Sequence, residues 1–446
     1  MANSKKPAPS NLAAYFQQRL TDLNVSGRRI TLALSGGVDS VALFHLLLKM
    51  RKSLDFSLSA VHINHQISPN AADWADFCAA LCTQLSVPIQ VKKVHVARRS
   101  GLGLEAAARA ARYQAFAEID TDLLMLAHHL DDQAETLLLN LLRGTGVRGA
   151  AGMAAQRVHD YALARPLIDV PRSELLAYAQ QHHLQWIEDE SNDDTAFTRN
   201  YLRHKVLPLI ETRFPSYRQT LARATQHFSS ADTLLDELAA IDAASVIHAD
   251  KLNLIALAKL SPERANNLLR AFLVTQSLPT LDADRLQEWL RQLLTARADS
   301  RVALGVAGLI LRRYRGLAWV ELDSPLPGPD WQIDWHGERE LKLAVLGGKL
   351  ELNTTSGQGI SLEKLKQATV TLRLRQGGEK LKPDCHRPRK TLKHLLQEAA
   401  IPPWQRERLP LLYCGGQLVA VPGIGIDCAF HANLGEPGLQ INWARY

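Results

Sequence analysis

Two short stretches of this 446-residue chain combine residue types that can do chemistry. The first is SGGVDS, residues 35–40, set between an apolar β-branched run and a stretch with helical periodicity. Gly36 and Gly37 let the backbone curl with its N–H groups inward, and a helix starting near Val38 adds a partial positive charge, so the turn can hold an anion. Ser35 and Ser40 add hydroxyl donors. A loop that hands on a terminal phosphate carries a lysine after its glycines. Asp39 stands where positive charge would be expected; it repels a bare phosphate but accepts one bridged by Mg²⁺, a hard cation that prefers carboxylate and phosphate oxygens. A Gly-Gly turn between strand and helix also occurs in α/β proteins with no ligand.

The second stretch is AHHLDDQAET, residues 127–136, where His128 and His129 precede Asp131, Asp132 and Glu135 in a first helical turn. Acids there serve the helix dipole and cap, but Asp132 and Glu135, at i and i+3, also share one helix face. The histidines, like His62 and His65 in HINH, are either hydrogen-bonded core residues or contacts to phosphate or base. In GLEAAARAARY, residues 103–113, Glu105, Arg109 and Arg112 fall on one helix face, where Glu105 and Arg109 alternatively form a plain surface pair. Arg199, Asn200 and Arg203 recur at helical spacing after the Asn/Asp-rich turn in WIEDESNDDTAFTRNYLRHKVLP, residues 186–208, and offer phosphate contacts or packing. Of the formal net charge of +7, a net +6 lies between Arg373 and Arg408, where ten basic residues face four acids. That run is either a phosphate-backbone contact or a solvated basic face.

These residues need a scaffold. Strand candidates at 29–34, 58–63, 89–94 and 122–127 alternate with helical stretches at 38–51, 70–86 and 103–117, after a first helix over 12–25 capped by Ser10 or Asn11. The alternation predicts an α/β fold with a doubly wound parallel sheet over 1–215, whose ligands sit at the carboxyl ends of the strands. Helical periodicity over 216–240 and 262–298, closed by a hairpin at 302–322, predicts a mainly helical domain over 216–324. Pro325, Pro327 and Pro329 mark a stiff linker. Residues 331–446 read as a small α+β domain with one helix near 390–400. No apolar run approaches the ~20 residues of a spanning helix, and no secretory signal is visible, so a soluble cytoplasmic protein is expected. Five cysteines form no C-x-x-C pair, which predicts reduced structural thiols rather than disulfides or a metal site.

SGGVDS resembles the pyrophosphate-binding loop of the N-type ATP pyrophosphatases, the PP-loop family, which adenylate an oxygen and release pyrophosphate. Together, SGGVDS, GLEAAARAARY, AHHLDDQAETLLLNLLRGTGVRGAAGM, RPL at 165–167 and the 186–208 stretch resemble the tRNA(Ile)-lysidine synthetases, and the helical middle and basic C-terminal segment resemble their longer form. The resemblance implies that ATP adenylates the wobble cytidine of the CAU anticodon of tRNA(Ile), and that free L-lysine then displaces AMP, changing the specificity from Met to Ile. It implies nucleotide binding by Ser35, Gly36, Gly37, Val38, Asp39, Ser40, Arg109 and Arg112, with Mg²⁺ on Asp39. It implies lysine binding by Asp132 and Glu135, and catalytic roles for Asp39, His129, Asp132 and Glu135. tRNA contacts are expected on Arg199, Asn200 and Arg203 from their donor spacing, and on Lys382, Arg387, Arg389 and Lys390 from the basic run, with the domains after residue 215 as tRNA-binding modules. No membrane partner is implied, and the oligomeric state stays open between monomer and homodimer. The alternatives are a PP-loop tRNA thiolase, which needs paired cysteines, and a non-catalytic nucleotide-dependent RNA-binding protein.

Overall fold

A computed structural model of the chain describes residues 12–96, 104–158, 161–297, 300, 302–328 and 330–445. Six strands, β1 (Arg29–Ala33), β2 (Ser57–Asn64), β3 (Ile89–Lys93), β4 (Leu123–Met125), β5 (Gln156–Val158) and β6 (Ala162–Ala164), form one sheet in the order β3-β2-β1-β4-β6-β5. All its pairings are parallel except β5 with β6. The period of two along a strand explains why the sheet is buried on both faces. In β4, Leu123 and Met125 join the core that also holds Phe16, Phe44 and Leu175, whereas Leu124, with Leu126 just beyond the strand, joins Phe116 and Leu163 in another.

The helices of this unit are α1 (Leu12–Asp22), α2 (Val38–Met50), α3 (Ala71–Gln84), α4 (Leu104–Ala117), α5 (Leu130–Leu142), α6 (Val147–Ala150), α7 (Arg172–Gln181), α8 (Thr198–Tyr201), α9 (Leu207–Arg213) and α10 (Tyr217–Val246), with a π-helical turn at Leu202–Val206. The caps expected at Ser10 and Asn11 lie outside the described residues, as do the side chain of Glu105 and Pro329 of the linker. The chain runs outward from β1 through β2 to β3, then returns to the other side of β1 as β4. That reversal is the switch point at which an open α/β sheet leaves a crevice beyond its strand ends. SGGVDS follows β1 and AHHLDD follows β4, so the two chemical stretches flank that crevice.

The chain divides into two compact units, Met1–Asp236 and Glu237–Tyr446, and the division falls inside α10. The second unit holds α11 (Leu254–Leu257), α12 (Pro262–Thr275) and α13 (Ala283–Thr295) with a five-stranded antiparallel sheet built from β7 (Ile247–His248), β8 (Lys251–Asn253), β9 (Ala303–Val306), β10 (Leu309–Tyr314) and β11 (Leu317–Leu322). The expected hairpin is the β10–β11 pair, but β7 and β8 gave no sequence signal because each is only two or three residues long. The rest of this unit is β-rich and carries one seven-residue helix, Leu392–Glu398, where a helix was expected. Trp319 and Trp404, with ring centroids 5.7 Å apart, pack these two parts together within the unit.

The expectation of reduced thiols fails at one pair, since Cys385 and Cys428 are disulfide-bonded with Cα atoms 5.5 Å apart. Separation by 43 residues hides such a pairing from any spacing rule. Cys78, Cys82 and Cys414 are free and buried.

Candidate active site

The glycine loop is built from both sides. Gly36 has φ +90°, a left-handed conformation that side chains resist, and a Cβ there would lie 2.8 Å from Ile187 Cδ1 and 3.3 Å from Cys78 Sγ. The Ile187 amide donates to the Gly36 carbonyl at 2.9 Å, so the segment that opens WIEDE braces the loop from behind. Ser40 Oγ accepts from the Gly36 amide at 3.2 Å and donates to the Gly37 carbonyl at 2.9 Å, which fixes the curl. Gly37 caps α2 without any side-chain hydrogen bond, leaving the helix terminus to an anion.

Asp39 faces the strand end opposite. Its Oδ2 lies 3.6 Å from His129 Nε2 and 3.5 Å from Arg172 Nε, while its Oδ1 is buried without a hydrogen-bond partner. A buried, unsatisfied carboxylate oxygen is costly unless something binds it. His129 caps α5: its Nδ1 accepts the Asp132 amide at 3.3 Å, and its own amide donates to Asp132 Oδ2 at 3.1 Å. Accepting through Nδ1 assigns the ring proton to Nε2, the atom facing Asp39 and Asp132. Burial disfavours a charged His129, but Asp132, Asp39 and Asp131 outweigh it and raise its pKa. Burial alone would raise Asp132 too, yet His129 and Arg199 hold it well below the usual carboxylate range.

The acids of α5 are already paired. Arg199 donates through Nε to Glu135 Oε2 at 2.7 Å and through Nη2 to Asp132 Oδ1 at 2.8 Å. Arg203 donates to both Glu135 oxygens, at 2.7 and 2.9 Å. Asp131 is held by Arg218 and by the backbone amide of Arg172, at 2.5 and 2.9 Å. Arg199 and Arg203 thus pair with Asp132 and Glu135 in this structure, and the Asn200 amide braces the carbonyls of Ser191 and Asp194.

A cavity of about 760 Å³ joins these parts. Ser35, Gly37, Asp39 and Ser40 line it, with Arg109, Arg112, His128, His129, Asp132, Arg199, Asn200 and Arg203, whereas Gly36, Val38 and Glu135 stand behind the wall. His62 bonds the Leu34 carbonyl and His128 accepts from Arg165 at 3.0 Å; burial pushes His128 down to about 3 and His65 to about 4. Sequence reasoning missed Arg172 and Arg218, which arrive on α7 and α10 with no local motif. In the second unit Arg387 pairs with Asp384, Arg389 with buried Asp427 and Lys390 with Glu398, so three of the four basic side chains singled out there have acid partners.

A phosphate loop at the switch point of a parallel sheet, faced by a carboxylate and opening onto one cavity, defines a PP-loop ATP-utilising enzyme. The comparisons agree: residues 10–210 match the PP-loop domain, 252–319 the TilS substrate binding domain and 370–443 the TilS substrate C-terminal domain. A tRNA(Ile)-lysidine synthase of Nitrosomonas europaea is 45% identical over 99% of this chain and 98% of its own. One from Aromatoleum aromaticum is 41% identical over 94% and 98%. The U34-tRNA thiolase NcsA from Methanococcus maripaludis is a distant likeness, 18% identical with a TM-score of 0.42 over 48% of this chain and 77% of its own. The chain belongs to the tRNA(Ile)-lysidine synthase family. Its buried Cys78 and Cys82, pushed up to about 12 and 11 by burial, are poor nucleophiles for sulfur chemistry.

Proposed function

We propose that the chain joins free L-lysine to the wobble cytidine of the CAU anticodon of tRNA(Ile), driven by ATP, in the cytoplasm. The observation that carries this reading is the single cavity shared by the glycine loop and the α5 cluster. The loop and the α2 terminus bind the pyrophosphate part of ATP, with Arg109 and Arg112 lining the same cavity. The ring carbonyl oxygen of the base attacks the α-phosphorus and pyrophosphate leaves. The ε-amine of lysine then attacks the activated ring carbon and AMP leaves with the oxygen's bonding pair.

The buried unpartnered Oδ1 of Asp39 fits a Mg²⁺ ion held jointly with phosphate. When bound, such an ion supplies charge neutralisation on the leaving pyrophosphate. His129, with its proton on Nε2, orients Asp39. Lysine is a zwitterion at its α-carbon, and the Arg199 pairs with Asp132 and Glu135 give it a place to insert: its ammonium takes a carboxylate while its carboxylate takes the released guanidinium. One ion pair is exchanged for two, so the insertion leaves no buried charge uncompensated. The ε-ammonium must also lose a proton before it is nucleophilic, and the depressed acidity of Asp132 suits it to binding a cation rather than to taking that proton. The two domains after residue 215 are proposed to hold the body of the tRNA. Incubation with ATP, Mg²⁺, labelled lysine and bulk tRNA tests the whole reading. Label in the RNA with matching pyrophosphate release is expected, and release without label would refute it.

A further inference from the structure

Arginines gather on Tyr113, in the C-terminal half of α4. Arg109 donates to the Tyr113 hydroxyl at 3.4 Å and Arg165 at 3.3 Å, while the guanidinium carbons of Arg109 and Arg157 lie 5.1 and 5.5 Å from the ring centroid. The other partners of Arg165 are neutral, the Ala154 carbonyl at 2.7 Å and His128 at 3.0 Å. Among the described residues the side-chain contacts of Arg109, Arg157 and Arg165 are to Tyr113, His128 and the Ala154 carbonyl, with no carboxylate among them. The crowding shows in the acidities: burial, then Arg109 and Arg157, lower Arg165, and Arg109 and Arg165 lower Tyr113 against its own burial. Guanidiniums brought together without an acid repel one another, and an entering anion removes that repulsion.

The anion can be placed by exposure. Arg109 and Tyr113 are on the cavity wall, whereas Arg157 is exposed on β5, the edge strand of the sheet, and is not part of the wall. The cluster therefore runs from the cavity to solvent. Nucleotide phosphates already have the glycine loop, but a strand that sends one base into the cavity must lay its backbone across the rim. We propose that Arg157, stacked on Tyr113 beside Arg109, binds a backbone phosphodiester of the RNA strand whose base enters the cavity. The guanidinium fork matches two phosphate oxygens, and the ring holds it flat for that contact. This inference rests on the reading of the cavity as the site where an RNA base is adenylated.

The test uses the full chain with Arg157→Ala and Arg157→Lys. Titration with tRNA at several salt concentrations should show about tenfold weaker binding for Arg157→Ala, as loss of one charge-assisted contact implies. The slope of log affinity against log salt should be shallower by about 0.7, the value for one single-strand phosphate. Arg157→Lys should recover the slope but only part of the affinity, because lysine keeps the charge and loses the fork. ATP binding without RNA should be unchanged in both. Wild-type tRNA affinity and salt slope in Arg157→Ala would overturn the proposal, and weakened ATP binding with unaltered tRNA binding would assign the cluster to the nucleotide instead. These are binding measurements, so they stand apart from lysine incorporation, whose absence in the wild-type chain would refute the proposed reaction rather than this contact.

Discussion

Replacing Glu135 by Gln keeps the shape of the side chain and removes the charge that two guanidiniums share. Glu135 is 2% exposed and receives Nε of Arg199, Nε of Arg203 and Nη2 of Arg203 within 2.9 Å. After the change, Asp132 alone is left to balance both arginines, and a glutamine NH₂ points at one of them as a second donor. Two unit charges about 4 Å apart interact by ~4 kcal/mol at an effective dielectric of ~20, and removing one partner of a buried pair costs ~3–5 kcal/mol overall. For a domain of this size each kcal/mol moves the melting temperature by about 2–4 °C, so Glu135→Gln should melt about 6–20 °C lower. Urea unfolding should give the free energy directly, and the companion Arg203→Met should be less harmful on the Glu135→Gln background than alone, by about 0.5–3 kcal/mol of coupling. A Glu135→Gln protein within about 1 kcal/mol of wild type, with no coupling to Arg203, would refute the reasoning. It would mean that the guanidiniums do not depend on this carboxylate and that the exchange with lysine has no ion pair to enter.

Asp39→Asn should abolish tRNA-dependent pyrophosphate release while changing the melting temperature by no more than a few degrees, since its Oδ1 has no protein partner to lose and its Oδ2 contacts to His129 and Arg172 are long, 3.6 and 3.5 Å; wild-type turnover in the folded variant would remove Asp39 from the site. Gly36→Ala should lose ATP binding and stability together, because φ +90° is strained for alanine and the new Cβ meets Ile187 at 2.8 Å; an unchanged ATP titration would contradict the loop geometry. Asp132 has a folded pKa below its unfolded value, so its stabilisation is complete above about pH 4 and is lost as the pH falls further. Asp132→Asn should therefore be less stable than wild type at neutral pH, with a shallower acid limb in urea midpoints measured from pH 6 to pH 2; parallel curves would sink that assignment. Both Asp132→Asn and Glu135→Gln should raise the KM for lysine more than that for ATP, and equal changes in the two would move the amine site elsewhere.

The parts of the fold legible in the sequence were those with a local cause. β1, β2 and β4 carry β-branched or leucine-rich runs, and Gly36 announced a turn that only glycine can make. The α5 acids were visible as a first helical turn, and the structure shows the same residues capped by His129, a role that spacing alone does not reveal. What stayed hidden was every partner supplied from a distance. Arg199 and Arg203 stood out as cations at helical spacing, a pattern equally fit for phosphate, but their acid partners lie 64–68 residues away in the chain. Arg218 reaches Asp131 across 87 residues, and Arg387, Arg389 and Lys390 looked like a bare basic run until the fold brought Asp384, Asp427 and Glu398 beside them. Charge counts along a sequence cannot register such neutralisation, because an ion pair is set by tertiary contact.

The bond between Ile187 and Gly36 also orders events during synthesis. The six-stranded sheet is complete at Ala164, yet the loop after its first strand is still open at the back, because its brace is made 23 residues later. A nascent chain that has emerged only through β6 therefore has its nucleotide-facing strand ends without a finished phosphate cradle. Long-range closure of this kind comes late, since the entropy of bringing distant segments together is met only after the intervening structure exists. The loop is thus encoded early and assembled late, because the bond that braces its back needs the chain to have emerged through Ile187.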